Sequence, residues 1–123
     1  MRFATVLKVA GVLGVLFGLC FLFAPAFGLS QYGVTTDAAG LFMTQFFGAA
    51  ILQLGLVFLF LNDLPAPGIS RVALGACLGE LAGLSVALRL QLSGQINALG
   101  WSSVAIYGLL ALAFARFAFG KAE

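Results

Sequence analysis

The chain has 123 residues, 63% of them hydrophobic and 8% charged, with a formal net charge of +2 and a mean hydropathy of +1.15. Soluble domains carry about 25% charged residues, so most of this surface must meet lipid or apolar protein, and the length allows one domain. A charge this small and scattered excludes a nucleic-acid partner, and the absence of histidine removes the commonest metal ligand and the commonest general base.

Four segments reach the roughly 20 predominantly apolar residues that a helix needs to cross a bilayer. The first runs from about Thr5 to Phe27, closed by Pro25 and Gly28. Arg2, Lys8, an apolar run and Ala24-Pro25-Ala26 imitate a secretory signal, but the run is longer than a usual signal core, so a retained span is expected. The second runs from about Ala38 to Leu61. It is entered through Thr35-Thr36-Asp37, which are good helix N-caps, and is stopped by the turn cluster from Asn62 to Gly68. The third runs from about Ile69 to Gln91, followed by a short reversal at Ser93-Gly94. The fourth runs from about Ile96 to Phe119, leaving a stub from Gly120 to Glu123. The predicted fold is all-α: a polytopic membrane protein whose residues 1–123 form one antiparallel bundle of four transmembrane helices.

Basic residues near span ends set orientation. With four spans both termini share a side, which collects Arg2, Lys8, Arg71, Arg116 and Lys121 against Arg89 alone. Both termini are therefore expected to be cytoplasmic, in a multi-pass protein of the cell inner membrane. Cys20 and Cys77 lie in different spans, without C-x-x-C spacing and roughly 13 Å apart along the membrane normal, so neither a disulfide nor a metal site is expected.

Helices in lipid associate through close approach of small residues. The third span carries Gly75, Gly79, Gly83 and Ala87 at intervals of four, the first Ala10, Gly14 and Gly18, and the fourth Gly108, Ala111, Ala115 and Ala118. These ridges are expected to pack helices. Trp101, just inside the fourth span, reads as an interface anchor.

Glu80 is the only acidic residue inside the four apolar runs, with Arg71 nine positions before it and Arg89 nine after. Ionisable groups at bilayer depth are costly and mark functional sites by default. Its helical neighbours are Ala76, Cys77, Gly79, Gly83 and Leu84, a mostly small face that points it into the bundle. Depth matching across the hairpins sets Tyr107 opposite Glu80 and Gln53 within one turn, and Gln45 with Gln53 forms a loose polar stripe on the second helix. The sharp reading is a proton-exchanging ligand site. The bland one, which carries more weight, is a hydrogen-bonded carboxyl acting as inter-helix glue through Tyr107 or Gln53. No nucleophile-base pair, phosphate loop or metal cluster stands out, so no catalytic residue and no enzyme activity are expected.

Phe17-Gly18 with Pro25, Gly48-Ala49-Ala50, Asn97-Ala98-Leu99-Gly100-Trp101 and Ala111-Leu112-Ala113-Phe114 give the chain a pattern that resembles small four-span bacterial membrane proteins of the DoxX-like group. The resemblance implies a four-helix inner-membrane fold and, in some relatives, a quinone-linked or accessory role. Small multidrug exporters are similar in length and span number, but their membrane glutamate lies in the first helix, whereas here the first helix has no acid. The expected function is a non-enzymatic accessory or assembly subunit of a larger membrane complex. The alternatives are a proton-coupled carrier of hydrophobic cations using Glu80, and a binder of quinone or lipid, the only cofactor suggested. The expected partners are membrane lipids, other membrane subunits or further copies of the chain.

Overall fold

A computed structural model describes residues 2–61 and 64–120; Asn62 and Asp63 of the turn cluster, Lys121 of the basic side and the end of the C-terminal stub lie outside them. The described residues form five α-helices and no strand: α1 (Phe3–Phe23), α2 (Pro25–Gln31), α3 (Ala38–Phe60), α4 (Ala66–Leu92) and α5 (Gly100–Phe119). Four of these, α1, α3, α4 and α5, are long and apolar enough to cross a membrane, the signature of a multi-pass membrane protein.

The first span differs from its prediction. The helix ends at Phe23 instead of continuing to Phe27, and α2 starts at Pro25. Pro25 has no N–H to offer the carbonyl of Phe21, yet its fixed φ suits the first position of a new helix. Ala24, at φ −136° and ψ 59°, absorbs the change of direction. Gly28, expected to close the span, lies inside α2, because a Cβ there would stand 2.8 Å from the Phe21 ring. α2 ends at Gln31 with Tyr32 as its C-cap, and the next residue, Gly33, has a φ of 72°, a left-handed position that glycine adopts without penalty.

The other boundaries follow local chemistry. The Asp37 carboxylate accepts a hydrogen bond from the Gly40 N–H at 2.9 Å and caps α3. Pro67 stands in the first turn of α4, where a missing N–H costs nothing. α5 begins at Gly100 and not at Ile96, because the Asn97 Oδ1 accepts from the Leu99 N–H at 3.1 Å, an Asx turn that delays the helix. Gly94, with φ 76°, makes the reversal between α4 and α5.

The chain divides into two compact units, residues 2–6 with 64–120 and residues 7–61. In the first, α4 and α5 are joined by contacts whose numbers run in opposite directions. Ser70 Oγ donates to the Ala118 carbonyl at 3.1 Å, Cys77 Sγ to the Ala111 carbonyl at 3.5 Å, and Gln91 Nε2 to the Asn97 carbonyl at 3.2 Å. The two helices are therefore antiparallel. Ile69, Ala73, Cys77 and Ala87 on α4 and Gly100, Ala111, Phe114 and Phe117 on α5 are buried. The Phe3 ring adds to this core, 5.3 Å from Phe117 and 6.4 Å from Phe114 between centroids.

The second unit is held by glycines. A Cβ on Gly11 would stand 2.9 Å from the Gly55 carbonyl oxygen, one on Gly48 would stand 2.9 Å from the Gly18 carbonyl oxygen, and Gly14 fits between Gly55 and Ile51. Two backbones this close leave no room for side chains, the arrangement that lets helices associate in lipid by van der Waals contact alone. Here too the contact numbers descend on α3 as they rise on α1, so these helices are antiparallel. Phe21 adds an edge-on contact to Phe47, with centroids 5.6 Å apart.

Candidate functional site

The α4 stripe that faces α5 runs Ile69, Ala73, Cys77, Glu80, Leu84, Ala87 and Gln91, at intervals of three or four, which keeps one helix face in register. Glu80 is thus a member of the packed stripe and is half-buried. The contacts on either side of it, Cys77 with Ala111 and Gly83 with Tyr107, set it level with Leu109, beside Gly108. A Cβ on Gly108 would meet only Leu84 Cδ1, at 4.0 Å. No atom of Glu80 comes within 4 Å of that position.

Tyr107 reaches the depth of Glu80 but lays its ring over Gly83, in the space a Cβ would fill. No hydrogen bond or ion pair joins Glu80 to Tyr107 or to any other described residue. Within this unit, then, Glu80 does not serve as glue through Tyr107. Gln53 belongs to the other compact unit, as does Lys8, which is exposed on α1.

The two glutamines do different things. Gln45 Nε2 donates to the Leu22 carbonyl at 3.1 Å, an acceptor released where Pro25 interrupts the helix. Gln53 lines an open groove of about 550 Å³ with Leu22, Ala49, Leu52, Leu56, Val57 and Phe60. It is exposed, and no hydrogen bond joins its amide to any described residue. The groove is apolar apart from that amide, the composition typical of sites for lipophiles.

Among the expected packing glycines, Gly14, Gly18 and Gly83 lie against neighbouring helices, Gly108 has the looser contact described above, and Gly75 and Gly79 are exposed with nothing within 4 Å of a Cβ position. At 100° per residue, an interval of four drifts around the helix, so the ridge leaves the α5 face between Gly83 and Gly75. Trp101 is 50% exposed in the first turn of α5. Cys20 and Cys77 are free thiols. Among the described residues, no three His, Cys, Asp or Glu side chains gather as metal ligands would.

Sequence reasoning missed three packing positions, Gly11, Gly48 and Gly55, and the role of Gln45. The signal for the glycines was present as a spacing of seven, Gly11 to Gly18 and Gly48 to Gly55, which returns to the same helix face after two turns. The signal for Gln45 was Pro25, which frees a carbonyl at membrane depth that some donor must satisfy. Comparison with family models, curated proteins and solved structures finds no match to this chain.

Proposed function

We propose that this chain is a non-enzymatic multi-pass protein of a bacterial inner membrane, an accessory or assembly subunit of a larger membrane complex. Its four spans would form one antiparallel bundle with both termini cytoplasmic. The observation that carries this reading is the open α4 face at Gly75 and Gly79, where the backbone is bare and no described residue covers it. Gly11, Gly14, Gly18, Gly48, Gly55 and Gly83 by contrast lie against other parts of the chain, so the Gly75–Gly79 face is the one left for a helix from elsewhere. Exposed basic residues Arg2, Lys8, Arg71 and Arg116, against Arg89, support the orientation. Purification in mild detergent with mass spectrometry of co-eluting proteins tests it. A stoichiometric membrane partner that is lost in Gly79→Ile is expected, whereas a chain recovered alone and monodisperse overturns the reading.

A second reading, a proton-coupled carrier of hydrophobic cations, is favoured by the Glu80 carboxyl, which has no hydrogen bond or ion pair among the described residues. It requires binding of a lipophilic cation such as tetraphenylphosphonium that depends on pH and vanishes in Glu80→Gln. Unchanged binding in that variant removes it.

A further inference from the structure

The outer side of α3 carries a seam distinct from its glycine face. Phe42, Phe46, Ala49, Gln53, Leu56 and Phe60 follow one another at intervals of four, three, four, three and four, and all six are exposed. This is the heptad spacing by which two helices keep a common seam. Gly48 and Gly55, which face α1, lie roughly a third of a turn away, so the seam stays available when α1 is packed. Its lower half, from Ala49 to Phe60, is the wall of the 550 Å³ groove.

One group on this seam decides what covers it. The Gln53 side chain brings two N–H donors and a carbonyl acceptor to membrane depth, and no described residue satisfies them. Hydrocarbon offers neither donor nor acceptor, and a quinone offers acceptors only. A second Gln53 offers both, and two primary amides related by a two-fold axis close a reciprocal pair of N–H···O bonds. The seam carries no charge, so two copies meet without burying an unpaired ion, and Ala49 one turn away gives the helices room to approach.

We propose that α3 is the contact between two copies of this chain, packed about a two-fold axis along the membrane normal with Gln53 paired to itself. Such a contact is isologous, and a single polar residue in an otherwise apolar heptad fixes register and partner. It lies on a different helix from the Gly75–Gly79 face and stands whether or not that face binds another protein.

The full chain, reconstituted in phosphatidylcholine–phosphatidylglycerol vesicles and diluted across protein-to-lipid ratios, gives the association constant by energy transfer between labelled copies. A dimer is expected, weakened about tenfold in Gln53→Leu, the loss of one to two interhelical hydrogen bonds, and largely kept in Gln53→Asn. Under mild oxidation Gln53→Cys joins to its copy while Leu54→Cys, turned away on the helix, does not. A chain that stays monomeric at every ratio overturns the proposal. So does a dimer indifferent to Gln53→Leu, or a lipophile that co-purifies with the monomer and is lost in Gln53→Leu. Gly79→Ile leaves the dimer unchanged, so the two faces fail separately.

Discussion

Gln45 and Leu22 are joined across a broken helix: the Gln45 amide donates to the Leu22 carbonyl at 3.1 Å, three residues before the proline that interrupts α1. In water such a carbonyl would be hydrated. In a bilayer it must find a donor within the protein, since an unsatisfied backbone group in hydrocarbon costs several kcal/mol. A glutamine one helix away supplies that donor, and the break is tolerated.

Replacing Gln45 by Leu should therefore destabilise the chain by about 1 kcal/mol, the size of an interhelical side-chain hydrogen bond in a membrane. Gln53→Leu, measured under dilute conditions, should leave the stability of the single chain unchanged. Reversible unfolding in mixed micelles compares the two, and equal effects would show that the Leu22 carbonyl has another donor.

Glycines with and without neighbours should separate cleanly. Gly18→Ala places a methyl 2.7 Å from the Leu52 backbone nitrogen, and overpacking of this kind costs about 1–3 kcal/mol. Gly75→Ala and Gly79→Ala meet nothing and gain helix propensity of up to about 1 kcal/mol each. Thermal unfolding of the three variants in one detergent should show a loss for the first and no loss for the others.

Gly83 and Tyr107 should be coupled. Gly83→Ala drives a methyl into the Tyr107 ring, so the variant should lose about 1–3 kcal/mol. Most of that loss should disappear when Tyr107 is already Leu. A double-mutant cycle measures the coupling directly, and strict additivity would mean that the ring lies elsewhere.

Glu80 has no hydrogen bond or ion pair among the described residues, so Glu80→Leu should stabilise the isolated protein, because a polar carboxyl is exchanged for hydrocarbon at bilayer depth. A loss of more than about 1 kcal/mol in the unfolding experiment would restore the glue reading. If the variant is more stable yet loses binding of a lipophilic cation or of a protein partner, the residue is kept for function at the expense of stability.

The sequence made the spans legible because length and hydropathy act locally. A run of about 20 apolar residues can satisfy its backbone in lipid only as a helix, and Asp37, Pro67 and Gly94 mark ends through their own chemistry. Pro25 was equally visible, but whether it ends a helix or restarts one depends on what satisfies Leu22, and that donor comes from 23 residues away. Likewise the small-residue ridge of α4 reads the same along its length, although only part of it meets α5.

What the sequence determined by itself is the class of object: an all-α chain with four helices fit to cross a membrane and one acid among them. Which small residues touch, that Glu80 has no hydrogen bond or ion pair among the described residues, and that Gln45 and Gln53 have separate roles were decided by the tertiary structure. The reason is geometric. A spacing of three, four or seven defines a face, but in a chain apolar on every side hydrophobicity does not say which face is inside. Only the rotation of each helix against its neighbour does.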